Sequence, residues 1–224
     1  MKKHFAVAID GPSGAGKSTI AKAVADKLSI IYVDTGALYR TIGLAVWRRG
    51  ISMEDTAGIL SVLYAIRVEL VYRAGSQRVL LDGEDVSDLI RTPEISMYAS
   101  KVSALPEVRA FLLDLQRNMA REYSVVMDGR DIGTVILPDA EVKIFLTASD
   151  EKRAERRWRE LREKGQQVSL TEVLGDMRRR DAQDSARAVA PLRRAEDALL
   201  VDTSGLTLEE SIAAVLAAIE QRLA

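Results

Sequence analysis

The stretch Gly11-Pro12-Ser13-Gly14-Ala15-Gly16-Lys17-Ser18-Thr19 fits GxxxxGK(S/T), the spacing of a loop that cradles polyphosphate. Its glycines allow the backbone to turn its N–H groups inward onto phosphate oxygens, which a row of Cβ atoms would obstruct. Lys17 would reach the β- and γ-phosphates of a nucleoside triphosphate, and the Ser18 hydroxyl stands where Mg²⁺ is ligated. The apolar run Phe5 to Ile9 reads as a strand leading into the loop. Ser18 to Leu28, with Ile20, Val24 and Leu28 on one face, reads as the helix leading out of it. A helix starting there adds the positive end of its dipole to the anion site.

Further chemistry-bearing residues fall where the same pattern repeats. Ile30-Ile31-Tyr32-Val33 is a short apolar strand ending at Asp34-Thr35-Gly36, followed by a helical run from Ala37 to about Arg48. Ser124-Val125-Val126-Met127 is another, closed by Asp128 and followed by Gly129-Arg130-Asp131. Val142 to Leu146 and Leu199 to Val201 complete an expected five-stranded parallel sheet with helices on both faces, an α/β P-loop fold. Ligands gather at the carboxyl ends of such strands, which makes Asp10, Asp34, Thr35, Arg40, Asp128, Arg130 and Asp131 candidates by position. Asp128 suits Mg²⁺ held through water. For Asp34 or Thr35 alone, a helix cap is an equally good reading.

Between these strands the texture changes. Val68 to Tyr72, Val79 to Leu81 and Glu84 to Val86, with turns at Ala74-Gly75-Ser76-Gln77 and Asp82-Gly83, form an antiparallel meander, read as a substrate-side insertion at about 66–95. Met53 to Ala65 reads as a helix, and two more are expected from Thr92 to Glu122, broken at Leu105-Pro106. Eleven arginines lie between Arg153 and Arg194. Most read as a solvated helical surface with pairs such as Glu155 and Arg159. Arg180, Asp184 and Arg187, at i, i+4, i+7, would share a helical face. A helical lid at about 150–170, with Arg153 and Arg157 as the arginines that would reach the transferring phosphate, is the reading for the segment before them. Thr207 to Leu223 closes the chain as an amphipathic helix.

Composition narrows the classes. The 224 residues carry 32 Lys+Arg against 33 Asp+Glu, a net charge of −1, so no basic surplus marks a nucleic-acid binder. The chain is long enough to bury roughly 70 % of its unfolded surface in one domain. Without cysteine there are no disulfides, thiolate metal sites or thiol nucleophiles, which fits a reducing cytoplasm. The first apolar run stops at Asp10, too early for a signal peptide, and no stretch approaches the roughly 20 apolar residues of a membrane span. Asn118 is followed by Met119, which removes the NKxD guanine reader, and the single histidine, His4, excludes an HRD protein-kinase loop. A small-molecule phosphotransferase or a non-catalytic nucleotide-binding module remains.

GPSGAGKST, DTGALYR (34–40), DGEDVSDLIRTPEI (82–95), DGRDIGTV (128–135), KIFL (143–146) and RDAQDSARAVAPL (180–192) occur in an order that resembles the bacterial cytidylate kinase family over nearly the whole chain. DGRDIGT and RAVAPL are far more specific than the loop itself. The resemblance implies one P-loop kinase domain over 1–224 and transfer from ATP, with Mg²⁺, to CMP and dCMP; nothing in the sequence demands a partner, so a monomer is expected, and the charge balance and short apolar runs point to no nucleic-acid or membrane partner. It implies that Ser100, Arg109 and Asp131 read cytosine, that Arg40, Arg130 and Arg187 hold the acceptor phosphate, and that Arg180 and Asp184 hold the sugar. Ser18 stands where many relatives have glycine.

Overall fold

The computed structural model describes residues 4–73, 76–163 and 165–223. In chain order the elements are β1 (Ala6–Asp10), α1 (Lys17–Leu28), β2 (Ile31–Asp34), α2 (Thr35–Arg48), α3 (Thr56–Leu63), β3 (Val68–Arg73), β4 (Ser76–Leu81), β5 (Glu84–Asp85), α4 (Pro93–Val102), α5 (Pro106–Glu122), β6 (Val125–Gly129), β7 (Val142–Thr147), α6 (Asp150–Glu163), α7 (Leu170–Ser185), β8 (Leu199–Asp202) and α8 (Leu208–Leu223). A 3₁₀ turn at Leu89–Arg91 precedes α4, and a π-helical turn spans Ile132–Ile136.

Five strands form a parallel sheet in the order β2-β6-β1-β7-β8. Central β1 pairs with β6, Ala6 opposite Val125 through Asp10 opposite Gly129, and with β7, Val7 opposite Val142. Every residue of β1 and β6 is buried. That explains their unbroken apolar runs: a parallel strand covered on both faces has no polar side to alternate with. The register also brings Asp10 and Asp128 to the same carboxyl edge as the loop after β1.

The chain divides into two compact units, one of residues up to Ile31 and from Tyr123 onward, the other Tyr32–Glu122. The second unit extends well beyond the meander at 66–95 and has its own core. Leu38, Ile42 and Val46 of α2 pack with Ile59 and Val62 of α3, Ile95 and Val102 of α4, and Val108 and Leu112 of α5. Thr92 caps α4 by accepting the Ile95 N–H at 3.2 Å, and proline opens both α4 and α5, where its missing N–H costs nothing. The expected meander is present as a three-stranded antiparallel sheet, and Asp82-Gly83, both at positive φ, form the two-residue turn between β4 and β5. The Ala74-Gly75 part of the other expected turn lies outside the described residues. Met53 to Ala65 is helical only over Thr56–Leu63, with Asp55 as its cap.

In the first unit α6 and α7 form a helical hairpin. Ala154, Val173 and Met177 make its seam, the Trp158 indole donates to Val168 O at 3.0 Å, and a Ser169–Glu172 capping box opens α7. No helix among the described residues is long and apolar enough to cross a membrane.

Helices α2 and α4 pack tightly at Gly43, where an added Cβ would lie 3.0 Å from Ala99 N and from Tyr98 Cβ. Gly43→Val is expected to lower stability by about 1–3 kcal/mol, read as a lower urea midpoint; an unchanged midpoint would contradict this packing.

Candidate nucleotide-binding site

The loop after β1 is held by close backbone contact. A Cβ on Gly11 would fall 2.0 Å from Leu146 O, so only glycine lets β1 turn away beside β7. Helix α1 then starts at Lys17 on a Gly16 cap that offers no side-chain acceptor, and its first turn contains no acidic residue. The orphan N–H groups there are left for an exogenous anion. Lys17 is buried and its Nζ donates to Pro12 O at 2.7 Å. Burial, and after it the positive charge of Arg130, pulls the Lys17 ammonium down to about 7. Ser18 Oγ donates to Asp128 Oδ2 at 2.9 Å. A hydroxyl beside a carboxylate at the loop is a hard-oxygen pair that fits Mg²⁺, whose other ligands would be water and phosphate.

Behind the loop lies a clamp that sequence reasoning did not find. Asp181 Oδ1 accepts the Ser13 N–H at 2.9 Å, and Arg153 Nη1 donates to Ser13 O at 2.7 Å and to Asp181 Oδ2 at 2.5 Å. Arg153 also donates from Nε to Ala148 O and from Nη2 to Asp150. Every nitrogen of this buried guanidinium is thus engaged by protein, so the contacts Arg153 makes in this structure hold the loop, where the sequence reading has it reach the transferring phosphate. Asp181 escaped notice because the i, i+4, i+7 reading selected Arg180, Asp184 and Arg187 and left the residue beside Arg180 on another face.

Those three meet Arg130, though not quite as expected. Arg187 is off the helix, since α7 ends at Ser185 with Ala186 as its cap. The chain turns there, Leu192 N–H returning to Asp184 O at 2.8 Å, and Arg187 still donates to Asp184 Oδ1. Arg130 Nε donates to Asp184 Oδ2 at 2.9 Å, so one buried carboxylate holds two arginines. Arg180 has a buried Nε without a hydrogen-bond partner. Burial first, then Arg130, disfavours its positive charge.

Asp131, buried at 3 % exposure, begins the π-helical turn, and its carbonyl accepts the Val135 and Ile136 N–H groups. The turn's own first N–H groups go elsewhere: Ile132 N–H to Asp10 Oδ1 and Gly133 N–H to Asp10 Oδ2, both at 2.8 Å. Burial pushes the Asp10 carboxyl up to about 6 against the pull of these two donors. The sequence reading placed Asp10 at the ligand edge and gave it no task.

In the second unit Asp34 does both things open to it. It caps α2 by accepting the Ala37 N–H at 2.9 Å, and it binds Arg40 at 2.9 Å and Arg91 at 3.3 Å. Burial alone would raise the Asp34 carboxyl, but Arg40 and then Arg91 outweigh it and hold it below the usual carboxylate range. Arg40 Nε is buried and unpartnered. Arg91 was not singled out from the sequence. Thr35 is buried at the start of α2. Arg109 lies 5.5 Å from the Tyr39 ring centroid and donates to Ser103 O at 3.1 Å, and Ser100 lies on α4, its carbonyl accepting the Ser103 hydroxyl.

Beside the loop is a cavity of about 420 Å³ lined by Gly14, Thr19, Arg156, Arg157, Leu206 and Leu208. Arg156 is anchored on Thr203, whereas Arg157, half-buried, donates to Glu160 at 2.7 Å.

A central parallel strand running into GxxxxGKST, an aspartate on the neighbouring strand beside the loop serine, and a cavity alongside lined by apolar residues and two arginines define a P-loop nucleotide-binding fold. Its likeness to a solved structure of an uncharacterized protein from Eubacterium ventriosum, with TM-score 0.54 at 13% identity and covering 98% of this chain and 99% of that one, extends to the fold alone. The sequence comparisons go further. The family model described as cytidylate kinase matches residues 7–221. A cytidylate kinase of Caldicellulosiruptor saccharolyticus is 52% identical over 214 residues, covering 96% of this chain and 95% of that protein, and one of Geobacter sulfurreducens is 53% identical over 209 residues, covering 93% and 90%. The chain belongs to the cytidylate kinase family.

Two expectations follow. Asp181→Ala should weaken binding of a non-hydrolysable nucleoside triphosphate about tenfold through loss of the Ser13 clamp, measured by calorimetric titration; unchanged affinity would show the clamp to be idle. Because the Lys17 ammonium lies near 7 in the unliganded protein and bound polyphosphate raises it, triphosphate binding above pH 7 should take up a proton and weaken as pH rises. Titrations at pH 8 in two buffers of different ionisation enthalpy would reveal that uptake, and equal heats would exclude it.

Proposed function

We propose that the protein transfers the γ-phosphoryl group of ATP to CMP and dCMP, giving ADP and CDP or dCDP, as one kinase domain over its length. The observation that carries this reading is the relation over nearly the whole chain to proteins named cytidylate kinase. Support comes from the residues that the shared motifs single out. Arg130 and Arg187 gather on Asp184 with Arg180 nearby in charge, as an acceptor phosphate and sugar would need.

On this reading the polyphosphate lies in the Gly11–Thr19 loop, and adenine enters the cavity between Arg157 and Leu206, where a guanidinium can lie over a purine face and a leucine can pack on the other side. Ser18 and Asp128 would hold Mg²⁺, which when bound neutralises phosphate charge. Arg40, Arg130 and Arg187 hold the acceptor phosphate, Arg180 and Asp184 the sugar, and Ser100, Arg109 and Asp131 the base, with Thr35 alongside. Cytosine offers an amino donor at N4 where uracil offers an acceptor, so the Asp131 carboxylate attracts the first and repels the second.

The reaction needs no general base, because the attacking oxygen belongs to an acceptor phosphate already anionic near neutral pH. That oxygen forms a bond to the γ-phosphorus as the bond to the β-phosphate oxygen breaks, and ADP carries the electron pair away. The task left to the protein is charge. Lys17, Arg130 and Arg187 offset repulsion between two polyanions and hold them in line, as preorganised donors that do not reorient when the phosphoryl group moves. The helical segment at about 150–170 acts as the lid that keeps water from taking the phosphoryl group, and Arg157 is its nucleotide contact. The enzyme works as a cytoplasmic monomer in pyrimidine nucleotide metabolism, without nucleic-acid or membrane partners.

A coupled ADP-release assay with CMP, dCMP, UMP, AMP and dTMP tests the reading: the cytidine nucleotides should be preferred by at least about tenfold in kcat/KM, and no preference would refute it. Lys17→Ala should abolish turnover while the thermal melt survives.

A further inference from the structure

The Asp131 turn is capped by the wrong carboxylate. The residue that opens a helical turn ordinarily closes it too, its side-chain oxygen accepting the first free N–H groups. Asp131 stands at that position and has the side chain for it, yet it makes no side-chain cap bond. Asp10, the last residue of β1, supplies the cap from a distant part of the chain, one oxygen to Ile132 N–H and the other to Gly133 N–H at 2.8 Å each. Asp10 is 5 % exposed, so the bidentate contact is sheltered from water. The turn itself is π-helical, with Ile136 N–H reaching Asp131 O and Leu137 N–H reaching Ile132 O, a wound form that is rare and concentrates at functional sites. A buried carboxylate joined to two backbone donors is a strong and directional tie.

We propose that Asp10 is a positioning residue for acceptor selection: by capping the turn in place of Asp131, it fixes the Asp131 backbone and keeps the Asp131 carboxylate from folding onto the Gly133 N–H. This rests on the reading that Asp131 discriminates cytosine from uracil. Asp10 is also the residue just before Gly11, so the carboxylate that aims the base reader is carried by the strand that launches the phosphate loop. Donor loop and acceptor reader thereby share one rigid strand end. Asparagine cannot replace this cap, since it has one acceptor oxygen and an NH₂ group that would face the second N–H, donor against donor.

The test uses purified full-length enzyme at saturating ATP, comparing kcat/KM for CMP and UMP in the wild type, Asp10→Asn, Asp131→Ala and the double variant. Asp10→Asn should narrow the CMP/UMP ratio about tenfold, through a raised KM for CMP, and the double variant should narrow it no further than Asp131→Ala does. A merely structural role would lower both substrates alike and leave the ratio where it was. If Asp131→Ala narrows the ratio and Asp10→Asn does not, or if the two effects multiply in the double variant, the inference is overturned while the base reading stands. If Asp131→Ala leaves the ratio unmoved, the base reading falls and the inference with it. Should Asp10→Asn not fold, Asp10→Ser, which keeps one acceptor for the turn, carries the same comparison.

Discussion

Buried positive charge is the constraint on which the first unit's chemistry depends. Lys17 is inside the protein, Arg130 and Arg187 share a single carboxylate, and Arg180 has a nitrogen with no partner. Cations taken out of water are costly unless paired, and here the carboxylates around them serve more than one partner each. Asp184 is divided between two arginines, and Asp10 is turned to backbone N–H groups. The fold supports such an arrangement because the parallel sheet around it is fully buried along β1 and β6.

The aspartates therefore do most of the arranging. Asp181 grips both sides of the Ser13 peptide with Arg153, Asp10 caps the turn that carries Asp131, Asp128 receives Ser18, and Asp34 holds Arg40 and Arg91 while starting a helix. In each case the carboxylate fixes a group that could meet a nucleotide. Arg153 illustrates the division best: it has the charge of a phosphate ligand and the contacts of a strut. Sequence spacing cannot separate these roles, because both place an arginine on the same helix.

Much of the architecture was legible beforehand for reasons that are local. The strands β1, β2 and β6 are short apolar runs that end at Asp or Gly, α4 and α5 are separated at a proline, and Asp82-Gly83 has the residues a two-residue hairpin needs. The helical face proposed for Arg180, Asp184 and Arg187 held for the first two and failed for the third, since helix periodicity says nothing of where the helix stops. Arg187 reaches Asp184 all the same, by a turn of the chain.

By itself the sequence determined the phosphate loop, the order of strands and helices and, through its motifs, the family, because each of these is written in contiguous residues whose backbone preferences act over a few positions. Which side chains serve which others was decided by the tertiary structure alone. Asp10 and Ile132 are 122 residues apart, and Ser13 and Asp181 are 168 apart. Such partners are chosen by sheet register and by the burial of charge, neither of which leaves a local mark, so a residue as plain in the sequence as Asp10 acquires its task only when β1 and β6 lie side by side.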